Sequence, residues 1–129
     1  NANVNVDVDG STNTFTLDLA TNSLASGADI DTIVQGASNT VNIDLDVDSA
    51  TNYIDLDGDS NTVNYDGDGY AGAYFKLEHD GNSRSFDVDQ QSTQDNDWLR
   101  VTSSGNNGSV CINQEAHGTQ QDSHRRVCF

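Results

Sequence analysis

Residues 1–75 contain neither lysine nor arginine, although thirteen aspartates lie in the same stretch. The five basic residues, Lys76, Arg84, Arg100, Arg125 and Arg126, all fall in the C-terminal part, and the net charge is −16. Nucleic-acid backbones are bound through clustered cations, so this distribution argues against a nucleic-acid partner. No apolar run is long enough to span a bilayer, so no membrane insertion is expected. Only 33% of the residues are apolar and 7% aromatic, so any core is thin.

Catalytic signatures are missing too. The three histidines, His79, His117 and His124, sit in no nucleophile or metalloprotease motif. Carboxylates abound, but nothing in the sequence sets one in an apolar pocket, as acid–base work needs. The sequence therefore reads as that of a non-enzyme. Methionine is absent and the chain begins at Asn1. Because translation starts at methionine, the expectation is a processed chain, most simply one that has lost an export signal.

What the chain does have is a period. Gly10, Gly36, Gly58, Gly81 and Gly105 are separated by 26, 22, 23 and 24 residues. Five residues after them come Phe15, Val41, Val63, Phe86 and Val110; seven residues after come Leu17, Ile43, Tyr65, Val88 and Ile112. Asn13, Asn39 and Asn61 follow the first three glycines at the third position, each succeeded by a threonine. A fixed period in this range marks a repeat architecture.

Each repeat reads as strand, turn, strand. Val4, Val6 and Val8 alternate with Asn and Asp before the first glycine, as Ile54 and Leu56 do before the third. Alternation of period two sends apolar side chains to one face and polar ones to the other. One such unit cannot bury its apolar face alone, so the units should stack. The expected fold is an all-β solenoid of about five rungs over 1–113, followed by a tail over 114–129. Stacking at about 4.8 Å would align the fifth and seventh positions into inward columns and Asn13, Asn39 and Asn61 into an amide ladder. An antiparallel β-sandwich also gives regularly spaced strands; the in-register identity of the repeats favours the solenoid.

Stacking makes the charge a problem. Asp18, Asp44, Asp66 and Asp89 fall eight residues after their glycines, hence in one column. Like charges directly opposite on adjacent strands destabilise, and salt or bound cations relieve them. Calcium suits carboxylate and carbonyl oxygens. The candidate ligands are Asp55, Asp57 and Asp59, with Asp66 and Asp68; their spacing does not complete an EF-hand loop. No cofactor is required by this reading, and Ca2+ is the one it allows.

Cys111 and Cys128 are expected to pair, closing a loop of about eighteen residues worth roughly 3 kcal/mol in the chain-entropy model. Cys111 stands between Val110 and Ile112 and so should face outward, meeting Cys128 of a tail folded over the last rung. Free thiols, an intersubunit bridge, or zinc held with His117 and His124 are the alternatives. His124-Arg125-Arg126 reads as a tail that docks on an acidic body, and Trp98 with Leu99 as a cap on the fifth rung, with sugar stacking as the functional alternative for Trp98.

The segment Ile33-Val-Gln-Gly-Ala-Ser-Asn-Thr-Val-Asn-Ile43 resembles a curlin repeat, the unit of curli-type fibre subunits: Gly36 and Asn39 match the Gly-x-x-Asn part of the Gln-x-Gly-x-x-Asn pattern, with Gln35 directly before the glycine. Asn61 after Gly58 repeats it, with Asp57 in place of the glutamine. The resemblance implies export, two strands per rung, and head-to-tail polymerisation into an extracellular fibre; acidic chains of this kind also resemble some marine phage or bacterial surface proteins. The expectation is thus a homopolymeric structural subunit of an extracellular, cell-surface or virion appendage. Its assembly edge would be Val4, Val6 and Val8, so that deleting residues 1–9 leaves soluble monomers. The alternative is a monomeric calcium-dependent adhesin; an ice-binding face on Thr14, Thr40, Thr62, Ser85 and Ser109 is a poorer fit, since its lattice is interrupted.

Overall fold

The computed structural model describes residues 2–19, 27–69, 72–92, 98–118, 121–122 and 125–128. Every regular element among them is a strand. The first rung holds β1 (Ala2–Asp9) and β2 (Thr14–Leu19), the second β3 (Ala28–Gln35) and β4 (Thr40–Asp46), and the third β5 (Thr51–Asp57) and β6 (Thr62–Gly69). The fourth holds β7 (Tyr74–Asp80) and β8 (Ser85–Ser92), and the fifth β9 (Trp98–Ser104) and β10 (Ser109–Gly118).

Within the five rungs each strand pairs in parallel with the strand two places further along, not with its sequence neighbour. Odd strands form one sheet in the order β1-β3-β5-β7-β9, here sheet A, and even strands β2 to β10 form the opposing sheet B. Parallel pairing throughout excludes the antiparallel sandwich. The register is that of the glycine repeat: Phe15, Val41, Val63, Phe86 and Val110 follow one another across sheet B, as do Leu17, Ile43, Tyr65, Val88 and Ile112.

The core is the slab between the sheets. Ile30, Ile54, Leu56, Phe75 and Leu77 face inward from sheet A, and Val41, Ile43, Val63, Phe86 and Val88 from sheet B, all buried. Rings cross the gap: Tyr65 packs on Phe75 at 4.1 Å and His79 meets Phe86 edge-on at 5.0 Å. His79 bridges Ser103 Oγ (3.0 Å) and the Gly58 carbonyl (3.2 Å) through its two ring nitrogens. Burial holds its pKa below the ordinary histidine value despite the carbonyl bond.

The glycine turns explain why the period is kept. Gly36, Gly58, Gly81 and Gly105 all have positive φ, and a Cβ on any of them would overlap the carbonyl of the glycine one rung earlier. Two residues on, Thr12, Ser38, Ser60, Ser83 and Asn107 take the left-handed conformation. The amides of the first four extend the inter-rung ladder through the bend, as in Ser38 N–H to the Asp59 carbonyl (2.9 Å) and Ser60 N–H to that of Asn82 (2.7 Å). The asparagine ladder forms as expected: Asn13 N–H donates to Asn39 Oδ1 and Asn39 N–H to Asn61 Oδ1, each at 2.9 Å.

After the fifth rung the chain doubles back. The tail expected from residue 114 onwards continues as strand β10 as far as Gly118. Then β11 (Gln121–Asp122) and β12 (Arg125–Cys128) run antiparallel to β10. Cys111 and Cys128 are register partners on β10 and β12 and form the disulfide. Among the described residues the tail therefore pairs with the outer edge of sheet B and not with that of sheet A.

Candidate functional site

The outer face of sheet B is an open acidic groove of about 440 Å³. Outward positions are fixed by the alternation that buries their neighbours. One wall is the row Thr16, Asn42, Asn64 and Asp87; the other is Asp18, Asp44, Asp66 and Asp89, continued by Asn113. Amides tie the first row together, Asn64 Nδ2 donating to Asn42 Oδ1 at 2.8 Å. In the second row Asn113 Nδ2 donates to Asp89 Oδ1 at 3.1 Å. Partial burial, with charge from Asp68, Asp89 and Asp44, pushes the Asp66 carboxyl above its ordinary value. Asp68 is raised for the same reasons, burial first and then Asp46, Asp89 and Asp44.

The sign of the linkage follows from that shift. A carboxyl whose folded pKa lies above its unfolded value of 3.8 binds its proton more tightly in the folded state. Its ionised form costs stability at neutral pH, and the cost disappears as pH falls through the raised pKa towards 3.8. Asp66→Asn with Asp68→Asn is therefore expected to raise Tm at pH 7 by about 2–5 °C, from ~0.5–1 kcal/mol of relieved repulsion. Thermal melts of both chains should converge near pH 3.5 (an approximate value set by the carboxylate range); a difference that persists there would mean that charge is not its origin.

Of the residues singled out for calcium, Asp55 and Asp57 lie on β5 in sheet A, Asp59 lies in the turn, and Asp66 and Asp68 lie on β6 in sheet B. The structure does not bring the five together. Asp59 is engaged by the next turn, accepting from Asn82 N–H at 2.6 Å. No group of three or more His, Cys, Asp or Glu among the described residues is arranged to hold a metal ion. His124 lies outside the described residues, and His117 is described only by its backbone place in β10.

The outer face of sheet A changes character along the axis. Its first strands carry Asp7 and Asp9, Asp29 and Asp31, then Asp55 and Asp57; the fourth carries Lys76 beside Glu78 and Asp80, and the fifth carries Arg100 with no carboxylate. Lys76 Nζ is 3.0 Å from Glu78 and 4.7 Å above the Tyr53 ring, while Tyr53 donates to Glu78 at 2.8 Å. That bond to Glu78, with burial and the nearby carboxylates, pushes the Tyr53 phenol up to about 12. Trp98 does not cap the core. It stands outside sheet A with 39% of its surface exposed, stacked on Tyr74 at 4.2 Å and 3°. Its inward neighbour Leu99 does pack against the core.

The two ends of the stack differ. Nothing among the described residues pairs with the outer sides of β1 and β2. Val4, Val8, Phe15, Leu17 and Leu19 are only partly buried there, although the same columns are sealed in the middle rungs. At the other end nothing among the described residues pairs with the outer side of β9, whereas β10 is covered by β12.

One arrangement escaped the sequence reading. Where Arg84 and Gly108 replace the ladder asparagine, the ladder moves to the residue after the glycine. Asp59 accepts from Asn82 N–H, and Asn82 Oδ1 from Asn106 N–H at 2.9 Å. Polar residues at that position in the third to fifth repeats were the available signal. No family model, curated protein or solved structure matches this chain.

Proposed function

We propose that this protein is a structural subunit of an extracellular filament or a cell-surface or virion appendage, built by end-to-end stacking of copies. The observation that carries the reading is the unfinished first rung: backbone edges on both sheets with no partner among the described residues, lined by half-covered apolar side chains whose columns are sealed elsewhere. Such an edge is a template for another chain. The axial charge gradient, from Asp7 and Asp9 to Arg100, makes a head-to-tail contact attractive and a head-to-head contact repulsive. A heterologous contact of this kind does not close and gives open filaments.

Electron microscopy of the concentrated chain, with and without millimolar calcium, is the test. Filaments with an axial repeat near 4.8 Å are expected. Val6→Lys places a charge on the inward face of the edge strand, where it can snorkel out of an open end but not from a covered one. Its expected result is folded, dispersed particles. Dispersed wild-type particles at every concentration would overturn the filament reading. A calcium-dependent adhesin is the second reading, favoured by the row of Asp18, Asp44, Asp66 and Asp89 on the outer face of sheet B; saturable calcium binding without filaments would select it.

A further inference from the structure

The two sheets end one row apart, and this bears on how a second copy can join. The inference rests on the stacking function proposed above. β1 and β2 belong to the same rung and are joined by residues 10–13 alone, so an incoming copy presents them at one level. If its β1 pairs with β9, its β2 must lie on β10. The outer edge of β9 is unpaired among the described residues, but that of β10 is taken by β12 through four register pairs, Cys111↔Cys128 to Gln114↔Arg125.

We propose that β12 fills, within its own chain, the row of sheet B that β2 of a second copy occupies in the filament, so that flap and incoming chain compete for one edge. The register of the trans contact follows from continuing the repeat. Val4 lies against Leu99, Val6 against Val101 and Leu17 against Ile112, each joining two half-covered members of one column. Charge agrees: β9 has Arg100 and no carboxylate, and Asp18 continues its row next to Asn113 rather than another aspartate. The turn contributes as well. Asn39 and Asn61 each accept from the backbone amide of the ladder asparagine one rung towards the N-terminus. Asn13 has no such rung before it among the described residues, and the backbone amide of Gly108 in a preceding copy is the donor that the repeat supplies.

The flap is the weaker occupant by length. β12 has four residues in antiparallel pairing, with two more in β11, whereas β2 has six and brings β1 with it. The disulfide holds the flap at the edge through Cys128, which raises its local concentration over that of any free chain.

The test compares the full chain with three flap-released forms: the chain reduced at its disulfide, Cys111→Ser with Cys128→Ser, and Arg126→Pro with Val127→Pro. The proline pair breaks strand pairing in either hydrogen-bonding parity while keeping the bridge. Critical concentration is read by pelleting, folding by far-ultraviolet circular dichroism, and register by the single tryptophan. Trp98 faces the row where Asn3 of the next copy arrives.

Flap release is expected to lower the critical concentration at least about tenfold, the ratio for 1.4 kcal/mol. Trp98 emission should move to the blue and its acrylamide quenching should fall in the pelleted fraction. Val6→Lys in the released background should abolish both. If all released forms assemble at the concentration of the intact chain, the competition is overturned while the filament function stands. If neither intact nor released chains assemble, the filament function falls and the inference with it. The reduced wild-type chain keeps every side chain and decides the matter should a substituted form unfold.

Discussion

Alanine at Gly58 is expected to destabilise the solenoid by about 3–5 kcal/mol, whereas alanine at Gly10 should cost only about 1–3 kcal/mol. Both glycines have φ values that side chains resist, +126° and +118°, so both substitutions carry backbone strain. Only Gly58 has another rung against it: a Cβ there would run into the Gly36 carbonyl, while at Gly10 the nearest atom is Asn13 Nδ2 at 3.4 Å. The extra cost at Gly58 is that of forcing two stacked turns apart, which also stretches the bonds from Gly36 N–H to the Asp57 carbonyl and from Ser38 N–H to that of Asp59. Chemical denaturation of the two variants checks the difference; equal losses would mean that the turns do not stack. In filaments Gly10 acquires a neighbour, so Gly10→Ala should raise the critical concentration more than its effect on the isolated chain implies.

The second large effect comes from one column read at two heights. Phe86→Ala should cost about 3–5 kcal/mol, because it empties a sealed site between the sheets where His79 meets the ring. Phe15→Ala, in the same column but in the first rung, should cost only about 1–2 kcal/mol, since part of that ring is already in water. Urea unfolding of the dispersed chains measures both. The ranking should narrow in filaments, where a neighbouring copy covers Phe15. An equal cost in dispersed chains would mean that the first rung is already covered by something else.

Most of the repeat was legible because its causes are local. Alternation fixes which side chains share a face, and the glycine spacing aligns the rungs, so the columns through Val63 and Tyr65, the ladder of Asn13, Asn39 and Asn61, and the row of Asp18, Asp44, Asp66 and Asp89 follow from counting. The pairing of Cys111 with Cys128 was reachable for the same reason, since parity turns Cys111 outward. Trp98 was misplaced although the same parity places it outside: Leu99 and Val101 are the inward residues of that strand. Its size outweighed its position in the reading, whereas in the strand its position decides.

The candidate site was less legible. Asp55 and Asp57 stand close in sequence to Asp66 and Asp68, but the turn between β5 and β6 carries the two pairs to different sheets. Proximity along a chain that reverses at every glycine is a poor guide to proximity across a slab. The ladder of Asp59, Asn82 and Asn106 was hidden because a polar residue in a turn has many uses, and only the stacked backbone selects one.

The sequence alone determined the all-β repeat, the inward columns, the acidic rows and the gradient of charge along the axis, because each depends on residue type and spacing within a rung or between neighbours. Tertiary structure alone decided that the returning tail covers sheet B and, among the described residues, leaves β9 unpaired, and that the two ends of the stack therefore differ. That choice rests on where β10 lies when the chain doubles back, and on which backbone edge still has hydrogen bonds to offer there. No local pattern encodes it.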